Sequence, residues 1–71
     1  MIEMTYVDSS NVEAIGYDPT QQELYVQFKS GGTYIYHQVP PDVYDYLRNA
    51  PSKGSFLNRQ IKNVYPATKQ S

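Results

Sequence analysis

The stretch Ser52-Lys53-Gly54-Ser55 combines two hydroxyls, an ammonium and a glycine that lets an anion approach the backbone. Placed at the opening of a helix, these groups could hold a phosphate, because the first amides of a helix are free donors at the positive end of its dipole. The structural alternative is a Ser52 N-cap followed by a glycine that permits close helix–helix contact. Arg48 stands a few residues upstream, and Arg59 and Lys62 follow at helical spacing. Such cations can contact phosphates without reading base sequence, or simply remain solvated. Tyr34 and Tyr36 alternate along one strand, so both rings share a face. On an open sheet they could stack unpaired bases; against helices they would be core. His37 is the single histidine and the chain has no cysteine, which leaves no transition-metal ligand set. Ser9 and Ser10 stand in no nucleophile-elbow pattern. A chain of 71 residues has little room to enclose a substrate. No catalytic residue, metal or cofactor is therefore expected.

Charge separates along the chain. Residues 1–47 hold all seven carboxylates and one lysine, Lys29, for a net −6. Residues 48–71 hold Arg48, Lys53, Arg59, Lys62 and Lys69 with no acid, for a net +5. The total of −1 gives no bulk attraction to nucleic acid, but a basic segment of this kind can mark an anionic partner. No apolar run approaches the roughly 18 residues that span a membrane. Met1-Ile2-Glu3-Met4-Thr5 lacks the basic and apolar regions of a signal peptide. A small soluble domain in the cytoplasm is the expectation, with no membrane partner.

The elements that must position these residues are legible from period and turn chemistry. Val12–Tyr17 reads as a strand ended by Asp18-Pro19, a turn signal. In Glu23–Lys29, Leu24, Val26 and Phe28 alternate with polar residues at the period of a half-buried strand. Ser30-Gly31-Gly32 supplies a hairpin turn, and Thr33–Val39 returns as a strand rich in aromatic and β-branched residues. Pro40-Pro41 ends the sheet and suits a helix start. Val43, Tyr46, Leu47 and Ala50 form one apolar stripe; Leu57, Ile61, Val64 and Tyr65 form a second after Pro51. Asn58, beside that second stripe, reads as a buried amide that satisfies loop carbonyls. Gly16 suggests a bulge or close packing beneath a ring, Tyr44 or Phe56. The fold expected is α+β: a three-stranded antiparallel meander followed by two C-terminal helices on one sheet face, β-β-β-α-α. Residues 1–66 form one domain, and 67–71 a flexible tail.

The hairpin register decides where the tyrosines point. A two-residue Gly31-Gly32 turn sets Phe28 opposite Ile35 and leaves Tyr34 and Tyr36 on the face away from Leu24, Val26 and Phe28. A three-residue loop sets Phe28 opposite Tyr34 and Val26 opposite Tyr36, which brings both rings into the core.

The chain resembles the KTSC domain family. The residues that carry the likeness are Ser9-Ser10-Asn11 ahead of Ile15-Gly16-Tyr17-Asp18, then Leu24-x-Val26-x-Phe28 before Ser30-Gly31, Tyr34-x-Tyr36 and Val39-Pro40. They continue with Ala50-x-Ser52-x-Gly54-x-Phe56-x-Asn58-x-x-Ile61. Phe56 stands where the family often shows Tyr. The family is named for its occurrence at the C-terminus of some lysyl-tRNA synthetases and also forms stand-alone small bacterial proteins. Its recurring aromatic pair favours the register that turns Tyr34 and Tyr36 inward. The synthetase context implies RNA as a partner, either tRNA or a single strand. On that basis Tyr34, Tyr36, Arg48, Ser52, Lys53, Gly54, Arg59 and Lys62 are the candidate contacts of a non-catalytic binding module. The alternative is a protein-protein or self-association module that uses an aromatic sheet face.

Overall fold

The computed structural model describes residues 2–70. Met1 and Ser71, which the expectations about the leader and the tail included, lie outside the described residues. Five strands form one antiparallel sheet in chain order: β1 (Thr5–Tyr6), β2 (Val12–Asp18), β3 (Glu23–Phe28), β4 (Thr33–Tyr36) and β5 (Ala67–Lys69). Between β4 and β5 run helix α1 (Pro41–Asn49) and helix α2 (Lys53–Phe56). A wider π-helical turn, Leu57–Ile61, continues α2 directly.

Two strands go beyond the expected meander. Thr5–Tyr6 pairs with Ala14 and Ile15, and Ala67–Lys69, read as tail, pairs with Tyr34–Tyr36. Neither segment has an apolar alternation of its own. Their order comes from backbone groups at the edges of β2 and β4, which would otherwise stay unpaired.

The local turn chemistry behaves as its residues dictate. Asp18 Oδ1 accepts from the amides of Thr20 and Gln21 at 3.0 and 3.3 Å, which turns β2 into β3. Ser52 Oγ accepts from Ser55 N at 3.3 Å and caps α2. In the β3–β4 hairpin, Phe28 N donates to Gly32 O at 3.1 Å and Gly31 N donates to Phe28 O at 3.0 Å. The loop is thus Lys29-Ser30-Gly31, with Gly31 and Gly32 at φ +103° and +90°, a region that side chains with a Cβ resist. Tyr36 pairs with Leu24 and Tyr34 with Val26. This is two residues from the Val26–Tyr36 and Phe28–Tyr34 pairs expected for a three-residue loop. A shift of two preserves the face of every side chain, so the tyrosines still turn inward.

The core lies between the inward face of β2–β4 and the helices. Val12, Ile15, Leu24, Val26 and Tyr36 meet Val39, Leu47, Leu57 and Ile61 there. Two stripe residues depart from expectation. Tyr46 is 64% exposed, while Tyr44 packs instead, its ring stacked on Tyr17 with centroids 4.9 Å apart. Val64 is 60% exposed, because regular helix stops at Ile61 and the chain turns before Pro66. Tyr17 also donates its hydroxyl hydrogen to the carbonyl of buried Val39, which ties β2 to the entrance of α1.

The outer sheet face is partly covered by the chain itself. A Cβ on Gly16 would lie 2.7 Å from Met4 Sδ, 2.8 Å from Ile2 Cγ2 and 2.9 Å from Glu3 O. What crosses Gly16 is therefore the N-terminal segment and not the ring of Tyr44 or Phe56. The bulge in β2 falls between Val12 and Ala14.

Candidate functional site

A concave region lies where the β3–β4 hairpin, the Ser9–Asn11 turn and the second helical segment meet. It has two lobes of about 490 and 560 Å³. Both are lined by Ser10, Asn11, Phe28, Tyr36 and Lys62, so they form one continuous cleft. The helical lobe adds Ser52, Gly54, Ser55, Leu57 and Asn58. The hairpin lobe adds Lys29, Ser30, Gly31, Tyr34 and Lys69.

Asn11 is held in place from two sides. Ser9 Oγ donates to its Oδ1 at 3.2 Å and accepts from the amides of Asn11 and Val12. Asn11 O accepts from Lys29 N at 2.9 Å, which anchors the hairpin to this turn. The side chain lies so close to Gly54 that an added Cβ would sit 2.5 Å from Asn11 Oδ1. Gly54 therefore serves a close approach of two chain segments, but its partner is the Ser9–Asn11 turn and not another helix, as the structural alternative supposed.

Electrostatically the cleft is one-sided. Lys29, Lys62 and Lys69 come from the hairpin loop, the end of the π-helical turn and β5. No carboxylate lines either lobe among the described residues. The described ion pairs lie elsewhere and involve none of these lysines. Tyr36 is buried to 3% exposure yet borders both lobes. Tyr34 is half-buried in the hairpin lobe and meets Phe28 edge to face, with centroids 5.6 Å apart at 82°.

Of the eight candidate contacts, the structure brings five to this cleft: Tyr34, Tyr36, Ser52, Gly54 and Lys62. Three lie elsewhere. Arg48 Nη2 donates to Asp45 Oδ1 at 2.6 Å and its guanidinium sits 5.4 Å from the Tyr44 ring centroid. Lys53 Nζ donates to Ala50 O at 2.9 Å, closing the turn between the helices. Arg59 borders a smaller groove with Pro51 and Gln60, which adjoins the helical lobe through Ser52 and Ser55 but shares no residue with the hairpin lobe. The expected basic helical face is thus dispersed. Asn58 is exposed on the cleft wall, not buried beneath a loop. Sequence reasoning missed Lys29 and Lys69, which stand in a hairpin loop and in a stretch without strand pattern. Ser10 and Asn11 carried a signal, since they belong to the same family pattern as Gly54.

His37 lies away from the cleft. Its Nδ1 is 3.3 Å from Glu23 Oε2 and its Nε2 is 2.9 Å from Thr68 Oγ1, linking β3 to β5. Tyr25 donates to the other oxygen of Glu23 at 3.3 Å. Among the described residues no three His, Asp or Glu side chains gather as metal ligands would. No helix of the described residues is long and apolar enough to cross a membrane.

Burial raises the pKa of the Tyr17, Tyr25, Tyr36 and Tyr44 phenols above the ordinary 10.0, with neighbouring carboxylates adding to the effect at Tyr17 and Tyr25. For Tyr44 the Arg48 guanidinium works against the rise. The folded chain holds these protons more tightly than the unfolded chain. Their contribution to stability is complete below pH 10 and is lost as pH rises through the folded values. Melting temperature should therefore fall above about pH 10, in step with tyrosinate absorbance. Melting that stays constant through the tyrosinate transition would contradict the assignment.

The comparisons with known proteins agree with this architecture. The family model for the KTSC domain matches residues 8–65. A protein of Tsukamurella paurometabola is 49% identical over 64 residues, covering 90% of this chain and 96% of that protein. A lysine-tRNA ligase of Nostoc sp. is 41% identical over 58 residues, covering 82% of this chain but only 10% of the ligase. The crystal structure of a KTSC domain protein from Yersinia pestis superposes with a TM-score of 0.96 at 35% identity, over 100% of both chains. A match across most of the chain, reproduced in sequence and in fold, places this protein in the KTSC domain family.

Proposed function

We propose that the domain is a non-catalytic module that binds RNA through the lysine-rimmed cleft. The observation that carries this reading is the convergence of Lys29, Lys62 and Lys69 from three separate elements on one concavity with no carboxylate among its described lining residues. Opposite charges are normally interspersed on a protein surface, and a chain of net −1 keeps its acids away from this one place. Phosphates are the matching ligand groups, and Tyr34 beside them offers a ring to a base. The relatives that are lysine-tRNA ligases support the choice of RNA among phosphate-bearing partners.

A protein-protein role through an aromatic sheet face has weaker support. Tyr34 and Tyr36 face the core side, and Ile2 and Met4 cross the outer face. The exposed Tyr6 and Tyr46 lie on separate elements, β1 and α1.

Fluorescence anisotropy of labelled tRNA and of a short single strand, at low and physiological salt, tests the reading. Binding should be saturable and weaken with salt. Lys62→Glu with Lys69→Glu should lower affinity by at least about tenfold, since two attractive phosphate contacts become repulsive. Arg59→Glu, outside the cleft, should change it about twofold or less. Absence of binding even at low salt would remove the RNA reading and direct attention to light scattering for self-association.

A further inference from the structure

We infer, on the basis of the RNA reading above, that the cleft takes unpaired RNA in preference to a duplex, with a base against Tyr34 and its flanking phosphates among Lys29, Lys62 and Lys69. Three observations carry this.

The first is the dispersal of the remaining cations. Arg48 is paired with Asp45, Lys53 is bonded to Ala50 O, and Arg59 borders a groove that shares no residue with the lobe holding the three lysines. A duplex is held through phosphates spread along its grooves and is read mainly by shape. Among the described residues these three cations do not extend the lysine group into a strip that would follow such a path. It has one compact group of lysines, which suits a short stretch of backbone.

The second is concavity with an aromatic wall. The hairpin lobe measures about 560 Å³, and Tyr34 and Phe28 line it beside Lys62 and Lys69. Bases stacked within a duplex cannot enter a recess of this kind, whereas an unpaired base can leave its neighbours and lie on a ring. The edge-to-face contact between Tyr34 and Phe28 engages one ring edge and one ring face. It therefore does not consume both faces of Tyr34.

The third is the preparation of the polar wall. Asn11 is fixed by Ser9 and by close contact with Gly54, and Asn58 is exposed across the helical lobe. Side-chain amides at these places can donate to, and accept from, the edges of a base that is free of its pairing partner. The same edges are occupied in a duplex.

The test compares a labelled oligouridylate with a blunt RNA duplex on the unmodified protein across a salt series. The single strand should bind at least about tenfold tighter than the duplex, a difference in keeping with one stacked base. The slope of log K against log salt should be about −2 or shallower, because three lysines neutralise at most three phosphates at about −0.7 each. Tyr34→Leu keeps apolar bulk and removes the π face, so it should weaken single-strand binding about tenfold and leave duplex binding unchanged. A duplex that binds as tightly as the single strand, or a slope near −4 or steeper, overturns this inference while the RNA reading stands. If neither RNA binds at low salt, the RNA reading fails and the inference fails with it.

Discussion

Tyr36→Ala should destabilise the domain by about 3–5 kcal/mol, the usual cost of removing a buried aromatic ring. The ring packs in the core cluster opposite Leu24 and retains 3% of its surface. A domain of this length has roughly 4–10 kcal/mol of stability to lose, so Tyr36→Ala should forfeit about a third of it or more and lower the urea midpoint accordingly. Tyr36→Phe should behave differently. The Tyr36 hydroxyl makes no hydrogen bond within the described chain, and it is not among buried polar atoms left without a partner. The oxygen therefore reaches the cleft, whose two lobes both include Tyr36. Its removal should shift stability by less than about 0.5 kcal/mol, since no internal partner is orphaned. Urea melts of the two variants followed by far-UV circular dichroism supply the comparison. A Tyr36→Phe loss above about 1.5 kcal/mol would mean that the hydroxyl has an internal partner after all.

Gly16→Val should release the N-terminal segment and cost about 1–3 kcal/mol, in the range of an overpacked site. The built Cβ lies under 3 Å from two side-chain atoms and from the Glu3 carbonyl oxygen, and a backbone atom cannot swing aside as a side-chain tip can. Ile2 and Met4 must then lift from the sheet and expose Ala14, which is fully buried beneath this region. Valine has the better strand propensity, so an exposed strand position would show the opposite sign. Hydrogen exchange of the Ala14–Gly16 segment, together with the urea midpoint, gives the measurement. Unchanged stability and unchanged protection would show that residues 2–4 do not press on Gly16. The cleft lies on the opposite side of the sheet, so RNA affinity should remain within about twofold if RNA is the ligand.

The parts of the fold that could be read locally share a short-range cause. Leu24, Val26 and Phe28 alternate because a strand places successive side chains on opposite faces. Asp18-Pro19, Gly31-Gly32 and Ser52 act on backbone atoms within four residues of themselves. The helix starts at Pro41 and Lys53 follow from the same kind of chemistry. The inward face of Tyr34 and Tyr36 was not among them, because the two hairpin registers left open differ by one residue and face the rings oppositely; only the family's aromatic pair favoured the inward one. The exact pairs were not accessible, because a shift of two residues leaves the hydrophobic pattern intact.

The chain by itself determined the three central strands, two helices, the charge split and a family pattern that joins Asn11 to Gly54. Tertiary structure decided what those residues do together. Lys69 became part of a site because Ala67–Lys69 found the open edge of β4, a pairing across more than thirty residues that no local pattern encodes. Arg48 and Lys53 left the candidate interface because Asp45 and the Ala50 carbonyl stood within reach once α1 had formed. Composition counts charges without regard to their neighbours. Folding assigns each one a partner or an opening, and here it left Lys29, Lys62 and Lys69 around a single cleft.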